Sequence, residues 1–222
     1  MPLIGTYEDF VERVEELGFM SLSRAIPGLP SLVVETPPEL WHTDDDATDP
    51  WDWKDRACDE KRLAYGCLLG GVKGFVSPRL YPHFHAAFHT ASLVQRWNDG
   101  LLPPLAWKVW KLFEDQPRIG TRELRRSTGE KAGRLDAVLV SLQRSFDLTL
   151  SGREYRTDRE GKPYGWPSNT YSRVEEWVPS DWWGDGRGPS RREASAVLLE
   201  TAAAFGTELD LGRLASLWDL RA

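Results

Sequence analysis

Five segments of the chain decide its fold: LAWKVWKLFED (105–115), RELRRST (122–128), KAGRLDAVLVSLQRSF (131–146), DLTLSGREYRT (147–157) and TYSRVEEWV (170–178). Apolar residues recur at helical spacing in the first three, and Thr121 is placed to cap the second. The last two are predicted strands around a loop rich in glycine and proline, REGKPYGWPSN (159–169). The order helix, short helix, helix, strand, loop, strand predicts a winged helix-turn-helix.

The flanking segments predict an α+β protein in three parts. An N-terminal helical region with a small β-hairpin spans 1–104, the winged-helix domain spans 105–179, and a linker with C-terminal helices spans 180–222. In the first part, Asp49–Pro50 and Ser77–Pro78 are typical of helix starts, because the polar residue caps and proline fits the first helical position. LAYGCLL and VKGFV, joined through Gly70–Gly71, predict the hairpin.

The composition argues against several classes of protein. Hydrophobic residues make up 41% of the 222 residues, which is enough for a core without a metal or disulfide. Cys58 and Cys67 are the two cysteines, and they have no metal-binding spacing. Apolar runs fall short of the roughly 20 residues of a membrane span, and MPLIGTYEDF does not resemble a signal peptide. We therefore expect a cytoplasmic protein with no cofactor and no membrane partner; the composition leaves the oligomeric state open.

Charge is distributed unevenly along the chain. The formal net charge is −6, with −7 in residues 1–104, +5 in 105–173 and −4 in 174–222. A basic segment within an acidic chain suggests that this segment has its own partner, for which duplex DNA is the leading candidate. The alternative is that the segment faces an acidic neighbour within the same protein.

The predicted winged helix carries cations where phosphate contacts are expected. They lie on the second helix, the third helix and the wing: Arg122, Arg125, Arg126, Lys131, Arg134, Arg144, Arg159 and Lys162. The outward face of the third helix is predicted to contain Gly133, Ala137, Val140 and Arg144. Because this face lacks the side chains that hydrogen-bond to base edges, we expect backbone binding with little sequence dependence. A structural or protein-interaction module is the competing hypothesis, since a fold does not fix a function.

A second group of residues forms a candidate pocket in the first part of the chain: His42, Asp44, Asp46, Asp49, Trp51 and Trp53. Carboxylates at this density can hold a divalent cation, but the spacing does not match a calcium-binding loop. We therefore predict a loop and a helix cap here, not a metal site. His83, His85 and His89 also lack the HExxH pattern of a zinc site.

The pattern W-x-T-x-D-x-x-T-D-P-W-x-W over Trp41–Trp53, followed by AYG (64–66) and GFVS (74–77), resembles bacterial proteins related to the AlkZ/YcaQ winged-helix family. The resemblance covers about residues 35–220, with the basic segment and the C-terminal helix in the expected order. It implies a winged-helix fold and DNA binding, with damaged or distorted duplex as a possible partner.

The characterised members of that family are DNA glycosylases with several winged-helix units and a catalytic Q-x-Q or Q-x-D motif. This chain has Gln95, Gln116 and Gln143, and none of them is followed two residues later by Gln or Asp. The resemblance therefore implies fold and DNA binding more than base excision. An active glycosylase would need a carboxylate of the candidate pocket in place of glutamine, and this remains the enzymatic alternative.

Overall fold

A computed structural model of the chain describes residues 4–43, 45, 47–184, 186 and 188–220. It is a mixed α/β structure, compatible with the predicted α+β class. The helices are α1 (Tyr7–Leu17), α2 (Leu32–Glu35), α3 (Pro50–Asp59), α4 (Tyr81–Phe88), α5 (Leu93–Asn98), α6 (Pro104–Leu112), α7 (Thr121–Thr128), α8 (Ala132–Arg144), α9 (Val174–Trp177), α10 (Arg191–Ala203) and α11 (Leu211–Leu217). The strands are β1 (Phe19–Ser21), β2 (Ala64–Leu69), β3 (Val72–Val76), β4 (Ile119–Gly120), β5 (Leu148–Thr157) and β6 (Pro163–Arg173). Two short 3-10 turns span Pro38–Leu40 and Ser180–Trp183.

The first sheet is antiparallel, with strand order β1-β3-β2. The hairpin β2–β3 confirms the prediction around Gly70–Gly71, whose φ angles of 65° and 100° suit glycine at a tight turn. The edge strand β1 was not predicted from the sequence. Its three residues are too few to show the alternation of apolar and polar residues that is typical of a strand. All three residues of β1 are buried.

The predicted start of α3 is confirmed. The Asp49 carboxylate accepts a hydrogen bond of 2.8 Å from the backbone N–H of Trp51, and Pro50 occupies the first helical position. The prediction at Ser77–Pro78 is wrong by three residues, because α4 begins at Tyr81. The Ser77 backbone carbonyl, not its hydroxyl, accepts from the N–H groups of Leu80 and Tyr81.

The second sheet is also antiparallel, with order β4-β6-β5, and α6, α7 and α8 precede its hairpin. Strand β6 begins seven residues earlier than predicted, so most of the predicted loop 159–169 belongs to β6, while β5 agrees closely with its prediction. The strand prediction for 174–177 is wrong, since these residues form α9. Thr121 does not cap α7; its hydroxyl donates to the Asn169 carbonyl at 3.0 Å and joins the helix to β6.

One hydrophobic cluster takes side chains from all three predicted parts of the chain, including Phe10, Leu139 and Trp218. A buried polar link crosses it. Gln143 on α8 accepts a 3.1 Å hydrogen bond from the Cys67 backbone N–H and donates one of 3.0 Å to the Leu139 carbonyl. The basic segment therefore packs firmly against the first sheet, while the division into three domains stays a prediction. None of the described helices is long and apolar enough to cross a membrane.

Acid should destabilise the protein through His85 on α4. Burial, with a smaller contribution from the charge of His89, lowers the pKa of His85 to about 4. The unfolded chain, with an ordinary pKa near 6.5, therefore binds the proton first as the pH falls, and stability present above about pH 6.5 is lost towards pH 4. We expect this group to contribute a loss on the order of 2 kcal/mol.

Urea denaturation of wild type and His85→Gln between pH 7 and pH 4 measures this contribution. The variant should have the shallower dependence of unfolding free energy on pH. If wild type and variant show the same dependence of unfolding free energy on pH, then folding does not lower the pKa of His85.

Candidate nucleic-acid interface

The cations of α7 lie close to acidic groups. Arg126 pairs with Glu123, and Arg125 lies 3.7 Å from the Asp136 carboxylate on α8. These contacts neutralise part of the positive charge that the sequence suggested for this helix. Arg122 differs, because its guanidinium donates a 2.6 Å hydrogen bond to the Trp166 carbonyl on β6.

The α8 cations lie at its two ends. Lys131 is the N-cap residue, and Arg134 in the first turn contacts Glu130 at 3.2 Å. Arg144 is in the last turn, and its guanidinium lies 3.5 Å from the Leu217 carbonyl of α11. Ten residues of helix separate Arg144 from Arg134, or roughly 15 Å along the axis. Arg144 is therefore remote from the other cations of the predicted interface.

Arg159 and Lys162 lie in the turn between β5 and β6, and both are exposed. The Asp158 carboxylate shapes this turn by accepting from the backbone N–H groups of Glu160 and Lys162 at 2.9 Å. The side chains of Lys131, Arg159 and Lys162 form no ion pair with any residue that the structure describes. These three cations, which we call the unpaired cations, remain available to an external anion.

The outward face of α8 agrees with the prediction. Gly133, Ala137, Val140 and Arg144 are exposed, whereas Leu135, Leu139 and Leu142 are buried. Small side chains permit close approach of another molecule but donate no hydrogen bonds to bases.

An aromatic cleft lies between the β5–β6 hairpin and the start of α3. It encloses about 360 Å³ and is lined by His42, Thr43, Asp49, Trp51, Asp52, Arg153, Tyr155, Gly165, Trp166 and Pro167. Three members of the candidate pocket, His42, Asp49 and Trp51, are therefore brought together with the hairpin. The sequence did not suggest this neighbour.

The remaining members of the candidate pocket have other positions. Trp53 is fully buried, stacks on Phe10 with ring centroids 5.9 Å apart, and donates to the Ala47 carbonyl at 3.2 Å. It belongs to the core and does not line the cleft. Asp44 and Asp46 lie outside the described residues, so the prediction that this stretch holds no metal remains untested.

Arg153 on β5 fixes the hairpin against α3. Its guanidinium donates to Asp52 and lies 3.5 Å from the Asp55 carboxylate. Burial opposes the charge of Arg153, but the hydrogen bond to Asp52 and the charge of Asp55 raise its pKa overall. A second contact, between Arg118 and Asp59 at 3.8 Å, lies near the other end of α3. The cleft therefore has walls that are joined by ion pairs.

Arg153, Tyr155 and Trp166 are cleft residues that no pattern in the sequence had suggested as site residues. Trp166 carried a usable signal, because a tryptophan in the Gly- and Pro-rich stretch PYGWPS has little chance of reaching the core. Arg153 had no such signal, since its partner Asp52 is 101 positions away in the sequence.

No glutamine lines the cleft. Gln143 is the buried link between α8 and β2, while Gln95 and Gln116 are exposed elsewhere. The two cleft carboxylates are also engaged, because Asp49 caps α3 and Asp52 binds Arg153. The described part of the cleft therefore does not offer an uncommitted carboxylate in place of a catalytic glutamine.

Comparison with known proteins identifies the family. The family model described as AlkZ related matches residues 4–219, so the chain belongs to the AlkZ-related family. This family suggests a relationship to DNA repair. No curated protein and no solved structure matches the chain significantly.

Proposed function

We propose that residues 104–173 form a winged helix that binds duplex DNA, mainly through its phosphates. The order α6-β4-α7-α8-β5-β6 and the sheet order β4-β6-β5 support this proposal, with α8 as the helix facing the groove and the β5–β6 hairpin as the wing. The family relationship to DNA repair supports the same partner.

The observation that carries the proposal is the location of the unpaired cations, Lys131, Arg159 and Lys162. One lies at the start of α8 and two lie at the hairpin turn, the two elements that a winged helix places against DNA. Cations that already contact a carboxylate contribute less, because DNA must compete with that carboxylate. Arg125, Arg126 and Arg134 are therefore secondary contacts of the proposed interface.

Binding should depend little on base sequence. The exposed face of α8 presents Gly133, Ala137 and Val140, which cannot donate hydrogen bonds to base edges. Base excision is not part of the proposal, since both carboxylates in the described part of the cleft are engaged and no glutamine lines it.

Fluorescence anisotropy with two labelled duplexes of equal length and unrelated sequence tests this function. At low salt we expect saturable binding to both, with dissociation constants that differ by less than about tenfold, because a bidentate base contact alone contributes about 1–3 kcal/mol. Absence of binding to either duplex would contradict the proposal and favour a structural or protein-interaction module.

A further inference from the structure

Trp166 is the most exposed large hydrophobic side chain among the described residues, with 84% of its surface accessible. Single exposed apolar residues are common, but Trp166 does not stand alone. Trp51 and Tyr155, which are 38% and 43% exposed, line the same cleft, and so does His42. Four aromatic rings therefore converge on one opening of about 360 Å³.

Both walls of the cleft, the β5–β6 hairpin and the segment that leads into α3, are held by contacts with neighbouring residues. On the hairpin side, Arg122 holds the Trp166 carbonyl, and Arg153 joins the hairpin to Asp52. On the other side, the His42 ring lies 5.5 Å from that of Trp51, and His42 has a φ angle of 59°. This left-handed conformation is uncommon outside glycine, although histidine adopts it more often than most residues. A pre-formed cleft loses less conformational entropy when a ligand enters.

The charges in the cleft disfavour a phosphate and favour a neutral planar group. The Arg153 guanidinium is neutralised by Asp52 and Asp55, and the buried Asp49 carboxylate is a further negative charge in the cleft lining. A nucleobase carries no net charge and has two π-faces, and each base that stacks on aromatic side chains contributes about 1–3 kcal/mol.

The cleft is continuous with the proposed DNA-binding surface. Arg122 belongs to α7 and touches the cleft wall at Trp166, and Arg159 and Lys162 lie at the turn of the same hairpin. Cations beside the cleft can hold the phosphates on either side of a base that has left the stack.

We propose that the aromatic cleft holds one unstacked nucleobase of a distorted duplex, with Trp166 as a stacking platform. This inference rests on the proposed duplex binding. It adds a site through which the protein distinguishes distorted DNA from intact DNA. A base that is already extrahelical, as in a bulge, does not have to be unpaired and therefore gains most from the cleft.

The test compares three labelled DNAs by anisotropy at one salt concentration: a fully paired duplex, the same duplex with one bulged base, and the corresponding single strand. Wild type should bind the bulged duplex about tenfold more tightly than the paired one. Trp166→Ala should lose this preference, while its affinity for the paired duplex stays unchanged within error.

Tyr164→Ala is the matched control, since Tyr164 is a 50% exposed aromatic residue on the same strand that does not line the cleft. It should keep the preference for the bulge. Because Trp166 is largely exposed, its variant should also keep the melting temperature of the wild type, which separates loss of stacking from loss of folding.

Equal binding of paired and bulged duplex by the wild type would overturn the cleft proposal and leave duplex binding intact. Tighter binding of the single strand than of the bulged duplex would also overturn it. Failure to bind any of the three DNAs would overturn both proposals.

Discussion

Simultaneous replacement of Lys131, Arg159 and Lys162 with alanine should sharply weaken duplex binding and flatten its salt dependence. Each phosphate neutralised contributes about −0.9 to the slope of log affinity against log salt, so loss of three contacts should change the slope by about 2 to 3. The effect should be similar on unrelated sequences, since phosphate contacts carry no sequence information. Anisotropy titrations at several salt concentrations measure both quantities.

A matched control separates local contacts from total charge. Arg24, Lys73 and Arg213 are exposed cations in other parts of the chain, and replacing them with alanine removes the same formal charge. We expect this control variant to keep the slope of the wild type. Equal weakening by both variants would mean that binding follows the net charge of the chain and not the proposed interface.

Replacing Asp147 with alanine should have the largest effect on stability. Its carboxylate is fully buried between α8 and β5, where it accepts hydrogen bonds from Arg96 on α5 and from the Ser145 hydroxyl at 2.5 Å. Removing one partner of a buried ion pair leaves the other charge uncompensated, which typically costs about 3–5 kcal/mol. We expect about 3 kcal/mol here, because the Arg96 side chain keeps 19% of its surface exposed.

Urea denaturation of Asp147→Ala against Asp99→Ala checks this effect. Asp99 is an exposed carboxylate directly after α5, so its removal should change the urea midpoint little. If the two variants unfold at the same urea concentration, Asp147 does not join α5 to the basic segment in the way the contacts indicate.

Local signals in the sequence sufficed for several elements. Asp49–Pro50 fixed the start of α3 because capping depends on adjacent residues, and Gly70–Gly71 fixed the turn of the first hairpin for the same reason. The exposed face of α8 followed from its 3.6-residue period, since one face must be buried and the other must then face outward.

Elements that depend on distant contacts could not be predicted in this way. The edge strand β1 exists because it pairs with β3, more than 50 residues later, and its three residues show no pattern. The aromatic cleft depends on contacts such as that of Arg153 with Asp52, across 101 positions. The candidate pocket was therefore recognised in part, from the aromatic and acidic residues of one segment, while its opposite wall was not.

The salt dependence of duplex binding by the unmodified protein is the most direct test of phosphate binding by this interface. Fluorescence anisotropy with one labelled duplex, repeated from about 50 to 200 mM salt, gives the slope of log affinity against log salt. We expect a linear fall with a slope between about −2.7 and −4.5, because three to five phosphates are neutralised by the cations of α7, α8 and the hairpin turn. A slope near zero, or no binding at the lowest salt concentration, would contradict it.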